Sequence, residues 1–326
     1  MMDKQKISFI FEKYEELKKE IAKVIVGQDD VVRELLISLF ARGHSIIVGV
    51  PGLAKTMLVS SLAQIIDLKF SRIQFTPDLM PSDIVGTDVI EEDVASGRKN
   101  FRFIKGPVFA NIILADEINR TPPKTQSALL EAMQEGKVTV SGEDYILDKP
   151  FFIIGTQNPI EQEGTYPLPE AQLDRFFFQI NIFYPTEADE KEIVLRTTSI
   201  EDYNLKKIMT KEDILEIQSF IRKIPAPENS IEYAVKLVKM TRPGGGESEV
   251  VKWLSWGAGP RGAQTLVLAA KINAALSGRS SVTKNDIESV IFPSLRHRMI
   301  VNFNAEAEGV STDDIIREML DIASKK

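Results

Sequence analysis

The chain has 326 residues, with 40 basic and 47 acidic side chains, a net charge of −7, two His and no Cys. At roughly 100–200 residues per domain, that length implies two or three domains with a sizeable core. The missing Cys exclude disulfides, iron–sulfur clusters, Cys–zinc sites and thiol nucleophiles; His44 and His297 alone leave no material for a His-rich metal site or a Ser–His–Asp triad, and the negative charge disfavours nucleic acid or an anionic membrane as a global partner.

The first 25 residues carry Asp3, Glu12, Glu15, Glu16 and six Lys with no unbroken apolar stretch, so they do not read as a signal peptide. No later segment approaches ~18 consecutive apolar residues. A cytoplasmic location is the simplest expectation. Ile7, Ile10, Phe11, Tyr14, Leu17, Ile21, Val24 and Ile25 recur at helical spacing. Gly27 ends that helix. A second helix carries Val31, Val32, Leu35, Leu36, Leu39 and Phe40, and Gly43 ends it. The period then changes. Ser45–Val50 is a short β-branched run, followed by Pro, Gly and a helix from about Lys55 to Ile66. Ser71–Phe75, Asn111–Ala115, Phe151–Gly155 and Phe177–Ile182 are further strand-length runs, with helical patterns between them, notably Pro123–Glu135. Strands apolar throughout and alternating with helices predict a parallel sheet buried on both faces over residues 1–185.

Two interruptions fall inside this α/β region. Residues 76–110 are too long and too mixed for a plain connection. Lys137–Val140 and Tyr145–Leu147 flank Ser141–Asp144 as a β-hairpin with an acidic tip. After Tyr184-Pro185 the pattern is helical, with Thr210, Thr283 and Ser311 as N-caps. Residues 186–326 are therefore expected to form a smaller all-α domain, with Trp253 and Trp256 packed inside it and Pro243–Glu247 as a flexible surface loop. His44 reads as a packed or capping residue, and Phe176–Phe178 as sheet core.

Five short motifs carry chemistry. Gly49-Val-Pro-Gly-Leu-Ala-Lys-Thr56 follows a strand and opens a helix, the setting of a phosphate-binding loop; the alternative is an ordinary turn with an incidental Lys-Thr. Lys55 would reach the β- and γ-phosphates and Thr56 would ligate Mg²⁺. Ala54 stands where the usual pattern has Gly, so the loop is expected to fit at a helical φ. Asn111–Glu117 is an apolar strand ending in Asp116 and Glu117, placed to face the metal and to activate water, unless the pair is a solvated turn. Phe151–Pro159 is another strand, ending in Asn158, which would hold that water or form a plain Asn-Pro turn. Arg175, in Leu173-Asp-Arg-Phe176, suits an arginine given to a neighbouring copy, or a cation at a helix end. Arg261, in Gly259-Pro-Arg261, would reach back to the γ-phosphate.

Together these stretches resemble the AAA+ ATPases, specifically the MoxR family. Val26-Gly-Gln-Asp, Gly49–Thr56 with its Ala, Leu114–Arg120, Thr156-Gln-Asn-Pro, Glu161–Phe176 and Gly259-Pro-Arg carry the resemblance. It implies a P-loop core with a five-stranded parallel sheet and a helical lid. Lys55 and Thr56 look like Walker A, Asp116 and Glu117 like Walker B, Asn158 like sensor 1, Arg175 like an arginine finger and Arg261 like sensor 2. Val26 and Gly27 resemble the adenine-pocket turn, and Gly49, Pro51, Gly52, Leu53, Ala54 and Met57 join Lys55 and Thr56 as nucleotide contacts. Residues 76–110 resemble a helix-2 insert, and 137–147 a pre-sensor-1 hairpin. ATP and Mg²⁺ are the implied cofactors. The implied assembly is a ring, usually hexameric, that remodels client proteins, often with a von Willebrand factor A domain partner and sometimes through metal-cofactor insertion. A nucleic-acid motor and a chelatase motor subunit share the clade, and a small-molecule phosphotransferase would need no neighbour's arginine. The acidic hairpin tip argues against nucleic acid. Arg120 is a further candidate for action across a subunit boundary.

Overall fold

The structure, a computed structural model, describes residues 2–92, 99–161, 164–198, 204–243 and 249–325. Helices α1 (Met2–Ile21) and α2 (Asp29–Phe40) precede β1 (Ser45–Val48), α3 (Lys55–Ile65) and β2 (Phe70–Gln74). The 76–110 segment holds α4 (Pro81–Val85) and an antiparallel pair, β3 (Gly86–Glu92) and β4 (Lys99–Lys105). Then come β5 (Ile112–Asp116), α5 (Pro123–Glu135), the hairpin β6 (Lys137–Val140) and β7 (Glu143–Ile146), β8 (Phe152–Gln157), α6 (Glu170–Leu173) and β9 (Phe178–Asn181). Helices α7 (Glu187–Thr197), α8 (Lys211–Ile221) and α9 (Glu228–Met240) follow. The chain continues with β10 (Leu254–Trp256), α10 (Pro260–Leu276), α11 (Lys284–Ser289), α12 (Ile291–Leu295), β11 (Ile300–Val301), α13 (Phe303–Glu308) and α14 (Thr312–Ser324).

Five strands form one parallel sheet in the order β2-β5-β8-β1-β9. Their apolar runs bury both faces because successive side chains point to opposite sides. Ile47, Ile112, Leu114, Phe152, Ile154, Phe178 and Ile180 share one core with α1–α3 and the C-terminal helices. Ile46, Ile73, Ile113, Ala115 and Ile153 share another with α5 and the β6–β7 hairpin. Because the first core runs unbroken from sheet to C-terminal helices, the lid is packed onto α1 and α2 as well as joined through the chain. Phe176, Phe177 and Phe178 are buried, as sheet core should be.

Local chemistry sets the element ends. Pro123 starts α5 in the first turn, where its missing N–H costs nothing, and Gly136 at φ 64° ends it. Thr210 and Ser311 accept from Asp213 N and Asp314 N, and each carboxylate returns a bond to the cap's backbone N–H.

Four expectations change. The β6–β7 turn is two residues, not four: Ser141 and Gly142 both take positive φ, 50° and 86°, so Glu143 already pairs with Val140. Asp144 consequently lies in the strand, neutralised by Lys137 at 2.5 Å, and the hairpin is less acidic than its sequence suggests. The pattern after the Thr283 cap, with Ile287, Val290 and Ile291, predicts one helix, but it breaks at Val290 (φ −114°, ψ 5°) into α11 and α12. The lid is helical but also contains the β10–β11 pair, whose register shifts between Leu254 and Trp256; Trp256 is accordingly left 67% exposed, whereas Trp253 packs on the core. Most of the Pro243–Glu247 loop lies outside the described residues.

His44 is fully buried. Its Nδ1 accepts from Ile153 N at 3.0 Å, so Nε2 carries the proton and donates to Met133 O at 3.1 Å. This is a neutral packing role, with burial holding its pKa at about 4, below the usual 6.5. The unfolded chain takes up the proton near 6.5 and the folded one only near 4, so His44 stabilises the fold above 6.5 and loses that contribution as pH falls toward 4. We expect the unfolding free energy lost between about pH 7 and 4.5 to be about 2 kcal/mol smaller in His44→Gln than in the wild type. Equal losses in a denaturant titration would remove His44 as the source.

Candidate nucleotide site

Parallel strands bring their C-terminal ends to one edge of the sheet. The register pairs Val48 with Gln157, Ala115 with Gly155, and Gln74 with Asp116. Gly49, Asp116–Glu117 and Asn158 therefore line up along that edge, though 109 residues separate the first from the last in sequence. Gly49 N donates to Gln157 O at 3.2 Å, which ties the loop after β1 to the residue before Asn158.

The loop is built on close approach. A Cβ on Gly49 would stand 2.9 Å from Ile182 O, so only Gly lets the chain pass the end of β9. Ala54 does not adopt the expected helical φ. It caps α3 at φ 51°, ψ 25°, in the left-handed region, and its carbonyl accepts the helix bond from Leu58 N at 2.9 Å. The turn from loop to helix demands that conformation, and the small methyl group tolerates it at a cost of about 1–2 kcal/mol. Lys55 Nζ folds back to Gly49 O at 2.6 Å. Burial lowers its pKa, while Asp116 and Glu117 push the other way, so the cation and both carboxylates share one local field. Thr56 follows in the first turn of α3, half-buried.

Beside this loop lies a cavity of about 350 Å³, within the range of small-molecule sites. Val26, Pro51, Gly52, Leu53, Ala54 and Met57 are among the residues that line it. Tyr184, Pro185, Ile193, Val194 and Thr197 also line it. Those five were not singled out in sequence; α7, which falls after residue 185, closes the pocket opposite the loop. Gly27 does not line the cavity. It makes the turn that presents Val26, at φ 70°, with no room for a side chain because a Cβ would meet the Asp189 carboxylate at 2.7 Å.

The carboxylates are held in a polar shell. Asp116 Oδ1 accepts from the Thr156 hydroxyl at 2.6 Å, and Oδ2 accepts from Arg72 Nε and Nη2 at 3.1 and 2.6 Å. Glu117 has φ 57°, which turns its N–H onto Thr156 Oγ1 at 2.8 Å. Its Oε2 accepts from Gln74 Nε2 at 3.1 Å and pairs with Arg120 Nε at 3.1 Å. Arg120 also pairs with Glu161. Arg72 and Gln74 are participants outside the motifs, and Thr156, within the Thr156-Gln-Asn-Pro stretch, is one to which the motif gives no role. Asn158 is 8% exposed; its Oδ1 accepts from Ile160 N, but its Nδ2 is buried with no hydrogen-bond partner. An orphaned buried donor at the strand edge that also carries the Gly49 loop fits an acceptor oxygen supplied from outside.

Arg175 and Arg261 do not join this cluster. Phe177 N donates to His44 O at 2.6 Å and Phe178 pairs with Ser45, so Arg175 lies at the N-terminal end of β1. Gly49 lies past its C-terminal end, roughly 13 Å of strand away. Arg175 is exposed, and although its backbone N–H donates to Gln172 O at 3.2 Å, its side chain makes no hydrogen bond or ion pair to any described residue. Arg261, at the start of α10, pairs with Asp174 and so stands beside Arg175 rather than at its own chain's loop.

Comparison with known proteins agrees with this layout. Residues 44–178 match the model of the ATPase family associated with various cellular activities (AAA), and residues 249–319 match the AAA lid domain. The chain is 42% identical over 303 residues to "Chaperone MoxR1" of Mycobacterium tuberculosis (strain ATCC 25618 / H37Rv), covering 92% of this chain and 79% of that protein. It is 31% identical to "Protein MoxR" of Methylorubrum extorquens (strain ATCC 14718 / DSM 1338 / JCM 2805 / NCIMB 9133 / AM1), covering 87% of this chain and 86% of that protein. A crystal structure of a candidate ATPase from Cytophaga hutchinsonii ATCC 33406 superposes with a TM-score of 0.88 at 44% identity, covering 97% of this chain and 96% of that one.

If the orphaned amide of Asn158 serves the reacting phosphate, Asn158→Ala lowers the kcat of ATP hydrolysis about 10²-fold and leaves KM within about threefold. A rise in KM with kcat intact would show a binding role instead.

Proposed function

The chain belongs to the MoxR family of AAA+ ATPases, and we propose that it forms a ring of copies, hexameric as is typical of the family, that hydrolyses ATP at sites shared between neighbours to remodel or assemble client proteins. The observation that carries this reading is the split of the charged groups between two edges of the sheet. The C-terminal edge holds a loop, two carboxylates and an orphaned amide. The N-terminal edge holds the Arg175 guanidinium, which has no partner among the described residues.

In this reading the N–H groups of the Gly49–Thr56 loop and the N-terminus of α3 hold the phosphates, and Lys55 leaves Gly49 O to meet the β- and γ-oxygens. The apolar cavity holds the base. Mg²⁺, when bound, neutralises phosphate oxygens and orients them for in-line attack; the Thr56 hydroxyl and Asp116 carboxylate are the hard oxygen donors that would hold it. No group of three or more His, Cys, Asp or Glu forms a separate metal cage among the described residues, which suits a cation shared with a phosphate. Glu117 takes the proton of the attacking water once Gln74 and Arg120 release its carboxylate. Asn158 Nδ2 positions that water or the phosphate. Arg175, and Arg261 beside it, stabilise the charge of the transferred group in the neighbouring copy.

A protein client is favoured by the insert. Ile90 and Phe101 oppose each other across β3–β4 and are 60% and 76% exposed. This apolar pair offers nothing to a phosphate backbone. No helix among the described residues is long and apolar enough to cross a membrane. A von Willebrand factor A domain partner and cofactor insertion belong to the same proposal as family habits.

Lys55→Ala and Arg175→Ala subunits should each lack activity when alone, the second by about 10³-fold in kcat. Mixed, they should regain part of it, because some junctions then pair an intact pocket with an intact arginine. No recovery from rings that demonstrably mix would contradict the shared site. Glu117→Gln, held in ATP, should retain a protein client in a pull-down that Lys55→Ala does not; recovery of single-stranded nucleic acid instead would favour a nucleic-acid motor.

A further inference from the structure

The link between α6 and β9 is gripped by three successive lid residues, Arg296, His297 and Arg298. Arg298 Nε donates to Asp174 Oδ1 at 2.9 Å. Its Nη2 donates to Asp174 O at 3.2 Å and Phe176 O at 2.6 Å, and its Nη1 to Phe177 O at 3.2 Å. His297 Nε2 bonds Phe176 O at 3.0 Å. Arg296 Nη1 reaches Gln179 O at 3.2 Å while Asp313 holds the rest of its guanidinium. Arg261 takes the second oxygen of Asp174. The residues on both sides of Arg175 are thus fixed by the lid, while Arg175 itself stays exposed.

Arg298 has a side chain only 1% exposed. A buried guanidinium is costly unless nearly every N–H finds an acceptor. Here one carboxylate oxygen, three carbonyls of the link and the Ser294 carbonyl supply them. Only a planar fork can serve acceptors spread over residues 174 to 177; a lysine ammonium is a compact point charge and cannot. Apolar packing would fill the same volume without specifying where the carbonyls lie. The arrangement therefore fixes the geometry of a short backbone segment, and that segment carries Arg175.

We propose that Arg298, acting through Asp174 and the carbonyls of residues 174, 176 and 177, is a positioning residue that sets Arg175 for the neighbouring copy's site. The inference rests on the reading of Arg175 as an arginine used in trans. It adds that the lid, through the single 3-10 turn of residues 296–298, determines where that arginine points.

The test uses the full chain with Arg298→Lys, and Asp174→Asn as a gentler second variant should the first fail to fold. Arg298→Lys is expected to keep ring formation and to leave KM for ATP within about twofold, while kcat falls about 10- to 100-fold, the size of an ångström-scale misplacement. Added to Arg175→Ala, it should cause no further loss, because both changes remove the same contribution. Mixed with Lys55→Ala subunits, it should regain activity, since its own pocket is intact. Asp174→Asn should show the same pattern with a smaller loss. The proposal is overturned if Arg298→Lys leaves kcat unchanged, if it lowers kcat as much in the Arg175→Ala background as in the wild type, or if Lys55→Ala subunits do not rescue it. If Arg175→Ala alone leaves kcat unchanged, the in-trans reading fails first, and this inference with it; that result is distinct from failure of the Arg298 step alone.

Discussion

The length of β1 separates the two halves of the chemistry. Four residues of buried strand, Ser45–Val48, stand between the loop at Gly49 and the turn at His44 to which Phe177 is bonded. A parallel sheet cannot fold its N-terminal edge onto its C-terminal edge. The guanidinium of Arg175 therefore has no route to the phosphate loop of its own chain, and the pairing of Arg261 with Asp174 places the lid's arginine on the same remote side. Under the proposed in-trans role of Arg175, a complete site would require a second copy, and assembly would be a condition of catalysis.

At the other edge, the isolated chain holds its carboxylates in check. Asp116 has both oxygens engaged, and Glu117 is shared by Gln74 and Arg120. Lys55 is turned onto Gly49 O. These bonds satisfy charged groups that would otherwise be costly to leave half-buried near one another. In the proposed cycle, the groups assigned to hydrolysis would stay occupied until a nucleotide, and a neighbouring copy, offered better partners. Arg120, anchored by Glu161 as well, links that release to the loop after Asn158.

What was legible in the sequence is what is local. Gly49–Thr56, Asp116-Glu117 and Asn158 each sit at a strand end, so a strand pattern followed by a polar residue reveals the element and the edge on which those residues stand. The cores were legible for the same reason: runs such as Ile46-Ile47 and Ile112–Ala115 have no polar face. What was hidden depends on pairing. Arg72 and Gln74 matter because β2 runs beside β5 in a register that sets Gln74 against Asp116, and nothing within β2 reports that register. Ala54 looked unsuited to a left-handed turn, yet the geometry between loop and α3 imposes it. Tyr184 and α7 reach the pocket only through the turn after β9. The lid's grip on residues 174–179 joins segments more than 100 residues apart, and its arginines resemble any surface cation in sequence.

The lid is then more than a cover. Its core is continuous with α1, α2 and one face of the sheet, and residues 296–298 fix the segment that carries Arg175. In the proposed ring, a change in the lid's angle would move that arginine relative to the next copy. The account stands most directly on one measurement: the structure of Glu117→Gln rings bound to ATP. It predicts the Arg175 guanidinium of one copy about 3 Å from the γ-phosphate bound at Lys55 and Thr56 of the next. A γ-phosphate contacted only by residues of its own chain, with Arg175 facing solvent, would contradict it.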